Sequence, residues 1–372
     1  MTSPLIKFTD IVQDKSGGNK KLPQEFFLSD GQYPVVDQGK KFIAGYINDE
    51  DYLLKSADLP VVVFGDHTKS IKFVDFPFAM GADGVKVLKP KDECDTKYLY
   101  HYLRYAKIPD AGYSRHYKFL KELEIPLPPL AEQRRIASIL DQADELRQKR
   151  QQAIKKLDQL LQATFIDMFG DPNTYQNRFP IKSLKQVCTK ITDGEHGTVE
   201  RLESGKLYLM ARNITKNMTL DITEVSYISE EDHQRIYKRC APEFGDLMIV
   251  CVGATIGKLC LVPDMEEFSL ARSVALLKPD NNSVISQYLL HLLASDYMQQ
   301  KILNSRNTAA QAGLYLGKLS IIEVPVPPKE LQEKWSKIAL SIEDQKQKLY
   351  KQLDSQNQLF NALQNQAFNG TL

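Results

Sequence analysis

Residues 123–133 read LEIPLPPLAEQ, and residues 322–332 read IEVPVPPKELQ. In each, a short apolar run meets a Pro-x-Pro-Pro knot: Pro126, Pro128 and Pro129 in the first copy, Pro325, Pro327 and Pro328 in the second. Proline fixes φ and lacks an N–H, so the knot can neither continue a strand nor sit inside a helix. It does suit the first turn of a helix that follows. Long helical stretches follow both knots, over residues 130–169 and 330–368. A repeat on this scale decides the fold before any single element does. The chain reads as two copies of one unit.

The repeat reaches back from each knot. Residues 60–90 and 246–279 share one order: an apolar strand, a glycine turn, a second strand and a closing Leu-Lys-Pro. YLYHYL (98–103) and YLLHLL (288–293) come next, then a polar, basic loop, YSRHYK (113–118) and SRNTAAQ (305–311). This order predicts a globular segment over 1–118, a knot and long helix over 119–172, a second globular segment over 173–314, and a second knot and helix over 315–372.

Both long stretches carry apolar residues at three- and four-residue steps, the period of a helix packed against another helix. The first stripe is Ile136, Ile139, Leu140, Ala143, Leu146, Ile154, Leu157, Leu160, Leu161, Phe165 and Met168. The second is Trp335, Ile338, Ala339, Ile342, Leu349, Leu353, Leu359, Phe360 and Leu363. Arg147 and Arg150 interrupt the first seam, fixing register or leaving an opening for a partner. Gly170 with Asp171-Pro172, and later Gly370, supply the stop signals. Each helix would be about 60 Å long, too long for the core of a small domain. The economical arrangement is an antiparallel coiled coil with a globular domain at each end, a dumbbell with an α+β fold and an internal pseudo-two-fold repeat.

Composition narrows the function. With 372 residues, 42% apolar and 26% charged, this is an ordinary globular composition. No apolar run approaches the roughly 20 residues that span a bilayer, and MTSPLIKFTD at the N-terminus lacks a signal-peptide pattern. Five cysteines without a C-x-x-C pair point to free thiols in a reducing cytoplasm, not to a zinc site or a disulfide frame. A net charge of +1 means that any nucleic-acid binding must come from local concentration of cations.

Such concentrations exist. In the first segment, basic turns carry Lys20, Lys21, Lys40, Lys69, Lys72, Arg115, His116 and Lys118, with tyrosines and histidines among them. In the second, the candidates are His196, Arg201, Lys206, Arg212, Asn213, Lys216, Arg272, Arg306 and Asn307. Any one basic turn is ordinarily a solvated loop; several in one small domain fit a nucleic-acid face, because lysine and arginine neutralise phosphates while polar and aromatic groups read bases. Two such modules on a rigid rod could read two short sites about one ~34 Å DNA turn apart, leaving the bases between unread.

Chemistry-bearing patterns are few. Asp193, Glu195 and His196 in ITDGEHG match no metal-ligand spacing, and a histidine in a glycine-rich turn reads as a contact residue. GATIGK (253–258) is one residue short of a phosphate-binding loop, and Leu259 stands where a Ser or Thr would hold magnesium. It reads as a tight turn between strands. An Asn/Asp-Pro-Pro-Tyr/Phe motif, a glycine-rich cofactor fingerprint and a nuclease constellation are all lacking, which argues for a non-catalytic protein without cofactor or metal. A protein-only scaffold and a fused enzyme are the alternatives.

The chain resembles the specificity subunit of a type I restriction–modification system along nearly its whole length. The motifs that carry this are IPLPPLAEQRRIASIL (125–140), the closing AFNGTL (367–372), DGEHGT (193–198), GDLMIVCVGATIGK (245–258) and QYPVVDQGKKFIAGYI (32–47). The resemblance implies two target recognition domains, each reading half of a bipartite site in double-stranded DNA. It implies two conserved helices that set the spacing and dock methyltransferase subunits, two of them, and through these the restriction subunits. Adenine methylation and ATP-driven cleavage would belong to those partners, in the cytoplasm. The residues expected to form the rod and its docking face are Gln133, Arg134, Ile136, Leu140, Leu157, Leu161, Trp335, Ile338, Ile342, Leu349 and Leu353. The chain departs from the family pattern in its short length and at 329–333, where KELQE replaces the LAEQR of the first copy and predicts asymmetric docking.

Overall fold

The structure, a computed structural model, describes residues 3–81, 83–110, 112, 114–170, 178–306 and 313–372. They form two compact units, one from residues 1–153 and 349–372, the other from residues 154–348. The division falls inside both long helices.

The first unit contains, in chain order, β1 (Leu5–Lys7), α1 (Phe8–Ile11), β2 (Val12–Asp14), β3 (Lys21–Leu22), β4 (Tyr33–Val36), β5 (Gly45–Ile47), β6 (Val61–Gly65), β7 (Ile71–Val74), β8 (Ala79–Gly81), β9 (Val85–Pro90), α2 (Thr96–Tyr105), α3 (Tyr117–Leu120), β10 (Glu124–Pro126) and the start of α4 (Leu130–Phe169). Its sheets run in the orders β2-β9-β6-β7, β3-β8-β4-β5 and β1-β10. The run VVVFG is buried throughout as β6, with Val62 and Phe64 in one core and Val61 and Val63 in another, which explains why its β-branched residues do not alternate with polar ones. The closing Leu-Lys-Pro ends β9 with Pro90 opposite Val12. Asp95 then caps α2, its carboxylate accepting the amides of Lys97 and Tyr98.

The second unit repeats this plan. It contains the end of α4, β11 (Ile181–Ser183), α5 (Leu184–Val187), β12 (Cys188–Asp193), β13 (Lys206–Leu209), β14 (Ser226–Ile228), α6 (Glu230–Cys240), β15 (Leu247–Val250), β16 (Leu259–Leu261), β17 (Ser269–Leu270), β18 (Val274–Pro279), α7 (Ser286–Ala294), α8 (Asp296–Asn304), α9 (Leu316–Ser320), β19 (Glu323–Pro325) and the start of α10 (Lys329–Phe368). Its sheets, β12-β18-β15-β16, β14-β13-β17 and β11-β19, match those of the first unit strand for strand, apart from β3. GATIGK is the tight turn between antiparallel β15 and β16, with Gly253 and Gly257 at positive φ.

Each unit is completed by the far end of the other long helix. In the first, Ile136, Ala137 and Leu140 of α4 pack with Phe360, Ala367 and Phe368 of α10, and Phe368 meets Tyr98 and Tyr102 edge-on at 5.6 and 5.3 Å. In the second, Trp335, Ala339 and Ile342 of α10 pack with Leu161, Phe165 and Phe169 of α4; Phe165 meets Trp335 edge-on at 4.9 Å. The helices are therefore antiparallel where they pair.

The buried seam is narrower than the sequence stripe. Leu146, Leu160 and Leu359 are exposed, because a two-helix contact covers only one ridge of each helix. Arg147 leaves no opening: its guanidinium lies 4.3 Å from the Phe360 ring and donates to Asn357 and Asp144 at 2.8 and 3.0 Å.

Candidate nucleic-acid interface

In the first unit, turns far apart in sequence meet at one end of β4 and β6. Asp37–Lys41 follows β4, 66–70 follows β6, and 114–116 precedes α3. Gln38 joins the first two: its carbonyl accepts the hydroxyls of Thr68 and, at 2.6 Å, Ser70. Its carboxamide oxygen also accepts the His67 amide at 3.3 Å. The third turn is tied on by Asp66, whose carbonyl accepts both the amide (2.8 Å) and Nδ1 (3.0 Å) of His116. Lys69 pairs with Asp110 at 3.4 Å.

This assembly brings Lys40, Lys69 and Arg115 to one loop cluster, with Lys40 and Arg115 exposed. Lys118 is exposed, its ammonium 4.9 Å from the Phe119 ring. Lys20 and Lys21 are exposed too, paired with Asp51 (2.8 Å) and Asp83 (3.4 Å). Two expected contacts are corrected. His116 is 1% exposed and spends Nδ1 on Asp66, so it holds the Arg115 loop instead of meeting a ligand. Lys72 is 4% exposed, and its ammonium donates to the carbonyls of Asp37 (2.8 Å) and Lys41 (2.6 Å), beside the Asp37 carboxylate at 3.4 Å. Burial lowers the pKa of Lys72, against the opposing pull of Asp37.

In the second unit the corresponding end gathers 193–198, 210–213, 251–258 and 271–273. Glu195 bonds through its backbone to Leu270 and Arg272 at 2.8 and 3.0 Å. A Cβ on Gly194 would stand 2.0 Å from the Leu270 carbonyl oxygen, so only glycine permits this approach. His196 is exposed, its Nε2 2.8 Å from Asp193 Oδ2. Arg201 lies 4.0 Å from the Tyr208 ring, and Arg212 donates to Ser226 at 2.9 Å. Lys216, Arg272 and Arg306 are exposed; Arg306 Nε donates to the Leu303 carbonyl at 2.8 Å. Lys206 sits 3.7 Å from Glu230. Asn213 is the third correction: it is buried and uses its carboxamide on the backbone of Met210, Asp221 and Glu224. Asn307 lies outside the described residues.

Sequence reasoning missed Arg235 and Arg239 on α6. They donate to Glu195 (2.5 Å) and Asp193 (2.6 Å), tying the helix to the His196 turn. The signal was present in EEDHQRIYKRC, where His233, Ile236 and Cys240 form the buried face of an amphipathic helix and leave both arginines outside.

The knots carry a shared device. Gln133 and Gln332 are fully buried, so neither can meet a partner directly. Gln133 Oε1 accepts the Asp95 amide at 2.8 Å, while its Nε2 donates to the carbonyls of Glu93 (2.9 Å) and Pro128 (2.8 Å). Tyr98 and Tyr288 add a hydroxyl to the carbonyls of Pro126 (2.5 Å) and Pro325 (3.0 Å). Ile136, Leu140, Leu161, Trp335 and Ile342 are likewise buried and belong to the helix seam. Leu157, Ile338, Leu349 and Leu353 are half-buried, and Arg134 is exposed 3.9 Å from Asp95.

All five cysteines are unpaired, and burial pushes each thiol up to about 12, so they are protonated and unreactive at neutral pH. Among the described residues no group of three or more His, Cys, Asp or Glu side chains is placed to hold a metal. No described helix is long and apolar enough to cross a membrane.

The profile of the family described as "Type I restriction modification DNA specificity domain" matches residues 6–156 and 179–356. The EcoBI type I restriction enzyme specificity subunit of Escherichia coli is 25% identical over 316 residues, 76% of this chain and 66%, just under two thirds, of that subunit. The EcoR124I/EcoR124II specificity subunit of Escherichia coli is 24% identical over 322 residues, 79% of this chain and 75% of the other. In fold, the chain is similar to the crystal structure of the type I restriction-modification S subunit from M. genitalium, with a TM-score of 0.65 at 20% identity over 99% of both chains. The duplicated sheet plan, the paired knots and these matches place the chain in the family of type I restriction–modification specificity subunits, with two DNA specificity domains in one polypeptide.

Proposed function

We propose that this chain is the non-catalytic reading subunit of a type I restriction–modification complex, each specificity domain binding one half of a bipartite site in double-stranded DNA. The recognition domains are residues 1–118 and 173–314; the knots and long helices, 119–172 and 315–372, set the spacer and dock methyltransferase subunits. Two methyltransferase subunits match the duplicated plan, and restriction subunits join through them.

The observation that carries this reading is the repetition of the loop cluster itself. Both domains carry cations on the turns that follow their strands: Lys40 after β4 and Lys69 after β6 in one, with Arg115 on the loop before α3, and His196 after β12, Arg212 after β13 and Arg272 after β17 in the other. Cations held on loops by a rigid sheet suit phosphate contact, with polar neighbours free to read base edges. Gln133 and Gln332 support docking indirectly, by fixing the angle at which each long helix leaves its domain.

Co-expression with the neighbouring methyltransferase subunit, followed by genome-wide mapping of methylated adenine, tests the proposal. The expected result is one split motif with a fixed unread gap. A short continuous motif would limit reading to one domain. A complex that forms without methylation would turn the reading toward a protein-only scaffold.

A further inference from the structure

The turn DQGKKF (37–42) is pinned from beneath and loaded on top. Beneath, Lys72 bonds the carbonyls at both ends of the turn, Asp37 and Lys41. Ser70 and Thr68 hold the Gln38 carbonyl, and Asp37 Oδ1 takes the Gly39 amide at 2.9 Å. On top, Lys40 and Lys41 are exposed, and Phe42 is 46% exposed with its ring edge-on to Phe76 at 6.0 Å.

Burying an ammonium is costly unless its donors are satisfied, and here they are spent on backbone that would otherwise be an open loop. A lone exposed phenylalanine is ordinary on a protein surface. What distinguishes Phe42 is its footing: a buried charge fixes the backbone before it, and two lysines precede it. A ring ordered in advance pays less entropy on binding than one on a loose loop.

We propose that residues 37–42 form a preformed finger that enters the major groove of the first half-site, where Phe42 contacts a thymine methyl group and Lys40 and Lys41 meet flanking phosphates. The thymine methyl is the apolar feature of a base-pair edge in that groove. Lys72 is a positioning residue that never meets DNA. The inference rests on the DNA-reading proposal above and goes further by naming the base feature. The stretch after β13 in the second domain, MARN (210–213), carries neither a phenylalanine nor a lysine pair, so the finger belongs to one half-site alone.

The test uses the complex with its methyltransferase subunits, on duplexes of its mapped motif in which each thymine in turn is replaced by uracil, removing only the methyl. One replacement in the half-site read by the first domain should weaken wild-type binding roughly fourfold, the worth of one buried methyl group. Phe42→Ala should lose a similar factor on the thymine duplex and be indifferent to the replacement, while Phe42→Leu recovers part of both. Lys72→Met, which fills the same space without the ammonium, should blunt the thymine preference of the first half-site and leave the second half-site unchanged. A first half-site without thymine overturns the finger, as does a Phe42→Ala complex that still discriminates thymine from uracil. Equal weakening on both duplexes reduces Phe42 to a structural residue and also overturns it. A wild-type complex that ignores both half-sites overturns the DNA-reading proposal itself, an outcome distinct from discrimination between half-sites without methyl sensitivity.

Discussion

Gln133 and Gln332 make the same three hydrogen bonds in the two units. Each carboxamide oxygen accepts the amide of the residue before a helix, Asp95 or Ile285, at 2.8 Å. Each carboxamide nitrogen donates to a carbonyl in the turn ahead of that helix, Glu93 or Ser283, and to a knot proline, Pro128 or Pro327. One side chain thus welds knot, long helix and domain. Gln133→Ala or Gln332→Ala leaves buried backbone groups unpaired and should cost roughly 2–3 kcal/mol each. Hydrogen exchange should show the loss in the unit that carries the substitution; equal loss in both would argue against the weld being local.

Two buried histidines set a pH limit. Burial lowers the pKa of His101, outweighing the nearby Asp141 carboxylate at 2.8 Å, with Arg104 and Asp144 acting in opposite senses. Burial also lowers that of His291, against the Gln287 carbonyl and Glu343, with Lys346 adding to the fall. A depressed folded pKa means that the unfolded chain takes up the proton first. Stability is therefore full above the ordinary value of 6.5 and falls as pH drops through and below it, toward the folded values. The slope should approach about 1.4 kcal/mol per pH unit for each histidine. Denaturation midpoints between pH 7.5 and 5.5 should fall, and His291→Gln should flatten the curve; an unaltered slope in that variant would assign the effect elsewhere.

The proposed reading role of the first loop cluster can be separated from its structural support. Arg115→Ala should weaken the first half-site and lower the slope of log affinity against log salt by about one. His116→Ala should instead lower thermal stability, because it removes the imidazole bond to the Asp66 carbonyl and leaves only the backbone amide bonded there. Filter binding over a salt series, beside a melting curve, distinguishes the two. A pure affinity loss in the His116 variant would restore it as a contact.

Trp335 is the sole tryptophan and lies fully buried against Phe165, Phe169 and His291. Trp335→Ala should cost roughly 3–5 kcal/mol through the cavity it leaves. Urea unfolding followed by circular dichroism measures it; a loss under 1 kcal/mol would mean that the helix pair collapses to fill the space.

The ruler role of the long helices has a direct check. Inserting one helical turn in α4 should change the unread gap of the methylated motif, and an unchanged gap would remove the helices from spacer choice.

The architecture was legible because its punctuation is local and rigid. Two Pro-x-Pro-Pro knots and two Leu-Lys-Pro endings fix where strands stop and helices begin, and the second long helix begins at Lys329, one position from its expected start. The site was less legible because partners came from afar. His116 is buried by Asp66, and Asn213 by backbone at Asp221 and Glu224, neither of which local composition reveals. Lys72 is a fairer miss. In the alternation of β7 it shares its buried side with Val74, so strand period already pointed it inward.

The exchange of helix ends also orders events on the ribosome. The first domain leaves the exit tunnel early, yet Phe360, Ala367 and Phe368, which close its core, are translated only after the whole second domain. At ~5–20 residues per second its apolar floor stays uncovered for roughly ten to fifty seconds. The second domain meets the end of α4 already made and needs only residues up to the start of α10. Vectorial synthesis therefore lets the domain encoded second settle first, and a nonsense codon shortly before Phe360 would strip the core of the domain encoded first.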